Sequence, residues 1–117
     1  MATIIYHNPR CSKSRATLEL IKGEGVEPAI QTYLDNPPSR SELTMILQLL
    51  NIKPQELIRF GESVAKELGL SPQDDRSEDE WIDLMLQNPI LIERPIVVVD
   101  GEAAAVGRPP ESVLDIL

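Results

Sequence analysis

Hydrophobic and polar positions alternate between two regimes along the chain. Thr3-Ile4-Ile5-Tyr6 is a short run of β-formers, and Ala16-Thr17-Leu18-Glu19-Leu20-Ile21-Lys22 has helical character. The spacing predicts a helix over residues 14 to 22, stopping near Gly23 and Gly25, then a second strand over Pro28-Ala29-Ile30-Gln31-Thr32-Tyr33-Leu34. Asn36-Pro37-Pro38 breaks the chain, and the middle turns helical. Ser39-Arg40-Ser41-Glu42 has capping-box spacing and precedes Leu43, Ile46, Leu47 and Leu50 on one face. Pro54 opens a short helix with Leu57 and Ile58 apolar, and Val64 to Leu68 reads as another that stops at Gly69. A second capping box, Ser77-Glu78-Asp79-Glu80, starts a helix carrying Trp81, Ile82, Leu84, Met85 and Leu86, ended by Asn88-Pro89. The close is β again: Arg94-Pro95-Ile96-Val97-Val98-Val99, an Asp100-Gly101 hairpin turn and Glu102 to Val106. Gly107-Arg108-Pro109-Pro110 then leads to a final short helix, Glu111 to Leu117.

Strand, helix and strand of these lengths make a right-handed βαβ unit with parallel strands. The order β-α-β, then helices, then β-β-α, is that of an α/β thioredoxin-like mixed sheet. It implies a single domain over residues 1–117 with a helical insertion at about 39–87. In that fold a cysteine at the first strand–helix turn faces a cis-proline leading the third strand, and Pro95 is the candidate.

Composition narrows the possibilities. The chain has 117 residues, 42% hydrophobic and 26% charged, which suits one compact soluble domain. No apolar run is long enough to span a membrane, and the N-terminus lacks the regions of a signal peptide. One cysteine cannot form an internal disulfide, so a reducing cytoplasm is the expected compartment. One Cys with one His also argues against a protein-only zinc site. A net charge of −8 argues against a nucleic-acid surface, and it would repel an anionic substrate unless cations cluster locally. The acidic run Asp74, Asp75, Glu78, Asp79 and Glu80 reads as a solvated helix start.

The candidate chemistry centres on Tyr6-His7-Asn8-Pro9-Arg10-Cys11-Ser12-Lys13-Ser14-Arg15. Cys11 falls where a strand hands over to a helix N-terminus, and free N–H groups and the helix dipole there favour a thiolate. A buried structural cysteine is the commoner fate of a lone thiol, but the neighbours here are His, Lys, Ser and Arg. His7 can hydrogen-bond or electrostatically favour the thiolate, or merely end the strand. Ser14, at Cys-x-x-Ser spacing, can reach the sulfur or cap the helix. Arg59, Arg94 and Arg108 lie just outside predicted elements, and their planar donor forks suit tetrahedral oxyanions. Prolines stiffen the backbone beside Arg94 and Arg108. A phosphatase-type loop would need Cys-x5-Arg, where this chain has Thr17, and a dithiol site would need a second cysteine where it has Ser14.

Taken together, His7-Asn8-Pro9-x-Cys11-x-x-Ser14-Arg15, Tyr33-Leu34-x-Asn36-Pro37-Pro38-Ser39, Asn88-Pro89-Ile90-Leu91-Ile92-Glu93-Arg94-Pro95-Ile96-Val97-Val98 and Gly107-Arg108-Pro109 resemble the glutathione/glutaredoxin-coupled arsenate reductases over nearly the whole chain. The resemblance implies a cytoplasmic oxidoreductase of arsenic detoxification, with no bound cofactor or metal and with glutathione as thiol co-substrate and glutaredoxin as partner. It implies Cys11 as nucleophile, His7 and Ser14 favouring the thiolate, and Arg59, Arg94 and Arg108 binding the oxyanion. The turn Cys-Ser-Lys-Ser differs from the Cys-Gly-Thr-Ser of the resistance enzymes, and the chain ends at Leu117 without their C-terminal extension. In both respects it resembles the short chromosomal members. Competing expectations are a thiol oxidoreductase of the same fold acting on another oxyanion or on mixed disulfides, and a regulator that binds RNA polymerase.

Overall fold

A computed structural model describes residues 2–117. Contacts divide the chain into two compact units: Met1–Pro37 with Arg94–Leu117, and Pro38–Glu93. The insertion anticipated at about 39–87 lies inside the second.

The first unit is a four-stranded mixed sheet in the order β2-β1-β3-β4. β1 (Thr3–Tyr6) pairs parallel with β2 (Ala29–Gln31) and antiparallel with β3 (Ile96–Val99), which pairs antiparallel with β4 (Ala103–Val106). All four residues of β3 are buried, as a continuous Ile-Val-Val-Val run requires when both faces are covered. The hairpin turn places Asp100 and Gly101 at positive φ, 56° and 65°, the backbone that Asp-Gly tolerates. Helix α1 (Ser12–Gly23) and a 3-10 turn at Pro110–Ile116 pack against each other. Ile5, Ile21, Val97, Val99 and Val113 form the core between them.

Three local expectations are corrected here. α1 begins at Ser12, two residues before the predicted start, because Cys11 already has extended N-cap geometry and its carbonyl accepts from Arg15 N–H at 3.0 Å. The second strand is three residues, not seven, because the Thr32 carbonyl is taken by the N–H groups of Asp35 and Asn36 in a turn. The last helix is 3-10 in form.

The second unit holds α2 (Arg40–Leu50), α3 (Ser63–Glu67) and α4 (Glu78–Gln87), with 3-10 turns at Pro54–Leu57 and Pro89–Leu91. Ser39 and Ser77 each form a complete capping box, the side chain accepting from Glu42 and Glu80 N–H respectively. Trp81 is buried and meets Phe60 edge-on, with ring centroids 5.9 Å apart. A short antiparallel bridge joins Ile58 to Ile92. Among the described residues no helix is long and apolar enough to cross a membrane.

Candidate functional site

The site grows from the end of β1. His7 N–H extends the β1–β2 ladder by donating to the Gln31 carbonyl at 2.8 Å. The chain then folds back, with Cys11 N–H on the Asn8 carbonyl at 3.0 Å and Arg10 N–H on Asn8 Oδ1 at 3.0 Å. Asn8 is buried, and this double engagement fixes the loop that presents Cys11 at the N-cap of α1. The Asn-Pro pair signals a turn in sequence, but not that the Asn side chain holds it.

The Cys11 thiol is half-buried, and burial alone pushes its pKa up. That effect is overcome by the N–H of Ser14, by the Arg94 guanidinium as donor and nearby charge, and by the N–H of Lys13, so the pKa lies below its ordinary value. Arg108 Nη2 reaches Sγ at 3.5 Å, while its Nε donates to the Arg94 carbonyl at 2.8 Å. Cys11, Arg94 and Arg108 are therefore one cluster. The Arg94–Pro95 and Arg108–Pro109 bonds are both cis.

Ser14 acts differently from either sequence expectation. Its backbone N–H serves the sulfur, while its buried hydroxyl pairs with His7 Nδ1 at 2.6 Å and accepts from Asn8 N–H at 3.0 Å. His7 hydrogen-bonds this hydroxyl rather than the thiol. Burial lowers the His7 pKa, and the positive charges of Arg15 and Lys22 lower it further, so the ring is neutral near pH 7.

Arg59 belongs to the other unit. Its backbone N–H donates to the Leu91 carbonyl, and Glu93 N–H donates to the Leu57 carbonyl, so the short bridge sets the two side chains abreast. Arg59 Nη1 then meets Glu93 at 2.8 Å and Nε meets Glu62 at 3.0 Å. Burial pulls the guanidinium pKa down, but the two carboxylates more than compensate and raise it. Sequence reasoning missed both acids; Glu62, three residues after Arg59, is the one with a local signal.

The charge is unevenly spread. Residues 38–93 carry 11 acidic and 5 basic side chains, a net of −6. The Cys11-bearing unit holds 8 acidic and 6 basic, a net of −2, and its Arg10, Lys13, Arg15, Arg94 and Arg108 lie in or beside the cluster's loops. A pocket of about 300 Å³ borders the Cys11 loop, lined by residues 7–10 with Thr32, Leu34 and Asp35. A larger cavity, about 470 Å³, lies within the helical unit and touches none of the predicted site residues. Among the described residues no group of three or more His, Cys, Asp or Glu could hold a metal ion.

The ArsC family profile matches residues 6–116. The uncharacterized protein YfgD of Escherichia coli strain K12 is 49% identical over 114 residues, 97% of this chain and 94% of its own length. An arsenate reductase of Escherichia coli is 49% identical over 113 residues, 97% of this chain and 79% of its own length. The solved structure of an arsenate reductase from Vibrio cholerae superposes with a TM-score of 0.93 at 45% identity, over 100% of this chain and 98% of that one.

Proposed function

The chain belongs to the ArsC family, and from that premise we propose that it reduces arsenate to arsenite through the Cys11 thiolate, with glutathione and glutaredoxin as the reductants. One observation carries the reading: a thiol of lowered pKa at a helix N-terminus, with two arginines converging on its sulfur. A thiolate is the nucleophile, and guanidinium donors stabilise the oxyanion it attacks.

The reaction proceeds in three steps. The Cys11 sulfur bonds to arsenic, and one arsenate oxygen leaves as water with the thiol proton and an arsenate proton. The sulfur of glutathione next bonds to the Cys11 sulfur. The S–As bond breaks with its electron pair going to arsenic, which passes from As(V) to As(III), while each sulfur is oxidised by one electron and the glutathione proton passes to the departing arsenite. A glutaredoxin thiol finally takes the glutathionyl group and returns the Cys11 thiol. The external thiols are required because the chain has one cysteine. Arg94 and Arg108 hold the oxyanion beside the thiolate, and the resemblance to the arsenate reductases, not a contact, is what assigns Arg59 to the substrate as well. Glu62 and Glu93 each accept one N–H of Arg59, from Nε and Nη1 respectively. His7 and Ser14 keep the loop and its N–H groups aimed at the sulfur.

The test is an NADPH-coupled assay with glutathione, glutathione reductase and glutaredoxin, comparing arsenate with phosphate, selenate and mixed disulfides. Arsenate-dependent turnover lost in Cys11→Ser is the expected result. Turnover retained in that variant refutes the nucleophile, and turnover with mixed disulfides alone favours a thiol oxidoreductase. Arg59→Ala, Arg94→Ala and Arg108→Ala each raise KM for arsenate roughly tenfold.

A further inference from the structure

The pocket beside the Cys11 loop has features that oxyanion binding does not use. Its lining combines Pro9 and Arg10, immediately before the nucleophile, with Thr32, Leu34 and Asp35 of the turn that follows β2 at the sheet edge. Arg10 and Asp35 are both exposed and bring opposite charges to the lining. Leu34 is one of the few large apolar side chains left exposed, at 38%. His7 also lines the pocket although only 6% of the residue is exposed. Its Nδ1 is committed to Ser14, whereas Nε2 makes no hydrogen bond to another described residue and is not sealed from solvent. A ring nitrogen with solvent access at a cavity lining, on a residue otherwise buried, can meet a ligand group.

Building on the reductase reading above, we propose that this pocket seats the second thiol of the reaction, a peptide thiol with carboxylates at both ends and one ammonium, which describes glutathione. Arg10 takes a carboxylate in a planar fork, and Asp35 takes the ammonium. Leu34 covers the apolar methylene of the cysteinyl group, and His7 Nε2 meets the S–H. The volume, about 300 Å³, lies at the lower end of small-ligand sites, as a tripeptide requires. The placement also suits the chemistry, since Pro9 and Arg10 directly precede Cys11 and belong to the loop that presents it.

Two measurements test this. The first uses full-length Cys11→Ser, which cannot react, titrated with reduced glutathione and followed by amide NMR and the His7 ring resonances. Shifts confined to residues 7–10 and 32–35, with a moved His7 ring and weaker binding of glutathione diethyl ester, are expected. No shifts, or shifts centred on Arg94 to Ile96 instead, overturn the proposal. The second uses the reactive enzyme carrying Arg10→Ala and Asp35→Ala together. Its KM for glutathione is expected to rise about tenfold, as for two lost partly exposed charge contacts, with KM for arsenate within about twofold of the parent. An unchanged KM for glutathione, or equal rises in both constants, overturns it. Should the parent enzyme fail to turn over arsenate, the reductase reading fails, and the NMR titration still decides the pocket.

Discussion

Gly107→Ala is the most demanding test of how the cluster is assembled. Gly107 precedes Arg108, is buried, and donates its N–H to the Pro95 carbonyl at 2.9 Å. Its backbone is not in the left-handed region, so space rather than conformation excludes a side chain. A Cβ would stand 2.7 Å from Pro95 Cγ and 3.1 Å from Thr17 Cγ2, and nearer still to Thr17 Oγ1. Ordinary carbon contacts begin at about 3.5 Å, so the turn must retreat from α1 by about 1 Å. Thr17 cannot yield easily, because it is fully buried and its hydroxyl donates to the Lys13 carbonyl at 2.8 Å. Overpacking of this kind costs about 1–3 kcal/mol. At about 4 °C per kcal/mol for a chain of this size, Tm falls by about 4–12 °C in scanning calorimetry. The same retreat moves Arg108 off a 3.5 Å contact with the Cys11 sulfur. A misplacement of about 1 Å lowers kcat/KM for arsenate about 10- to 100-fold in the coupled assay. Thr17→Ala removes two of the three offending contacts, so the double variant recovers about 1 kcal/mol relative to the sum of the singles. Wild-type Tm and kcat/KM in Gly107→Ala, or strict additivity in the cycle, refutes the reasoning.

Three further outcomes follow from the geometry. Arg94→Ala removes a donor and a charge from the Cys11 thiolate, so the thiol pKa rises and iodoacetamide alkylation at pH 7 slows; an alkylation profile that does not move along the pH axis contradicts the assignment. His7 has a folded-state pKa below its ordinary 6.5, so the unfolded chain takes up a proton that the folded one refuses. Stability is therefore full above about pH 6.5 and falls with decreasing pH, by at most about 1.4 kcal/mol per pH unit from this group; His7→Gln shows a shallower loss between pH 7 and 5 in urea titrations, and parallel curves refute the linkage. Ser77→Ala breaks the capping box of α4 and costs about 1 kcal/mol by urea unfolding, with no change in thiol reactivity.

The parts of the molecule that sequence foretells are those governed by neighbours in the chain. Ser39 and Ser77 cap because their partners stand three residues away, Asp100-Gly101 turns because its own backbone allows positive φ, and Cys11 meets a helix N-terminus because strand and helix formers flank it. Ser14 marks where this ends. Spacing brings it to Cys11, but whether its hydroxyl or its N–H serves the sulfur depends on His7 and Asn8 claiming the hydroxyl first. Burial likewise lowers the His7 pKa, a shift absent from the local string. Arg59 lies further out of reach, because its carboxylate partner Glu93 is 34 residues away and arrives only through the Ile58–Ile92 bridge.

Total charge was the least informative quantity, and its distribution explains why an acidic chain can attract an anion. Charges separated by more than about 10 Å are largely screened at ordinary ionic strength. What an oxyanion meets is therefore set by the groups next to the sulfur. There the donors are the N–H groups of Lys13 and Ser14 and the Arg94 guanidinium, with Arg108 Nη2 at 3.5 Å. The helical unit, with its net of −6, contributes Arg59 already clamped between two carboxylates. An arginine held in that way adds little net attractive charge. On the oxyanion reading proposed above, attraction therefore falls to the arginines beside the sulfur, Arg94 and Arg108. On this division Arg94→Ala and Arg108→Ala weaken binding of all oxyanions alike. Arg59→Ala instead leaves Glu62 and Glu93 without their shared cation and is expected to lower stability by about 1 kcal/mol in urea unfolding, and an unchanged midpoint would refute the weight given to that pairing.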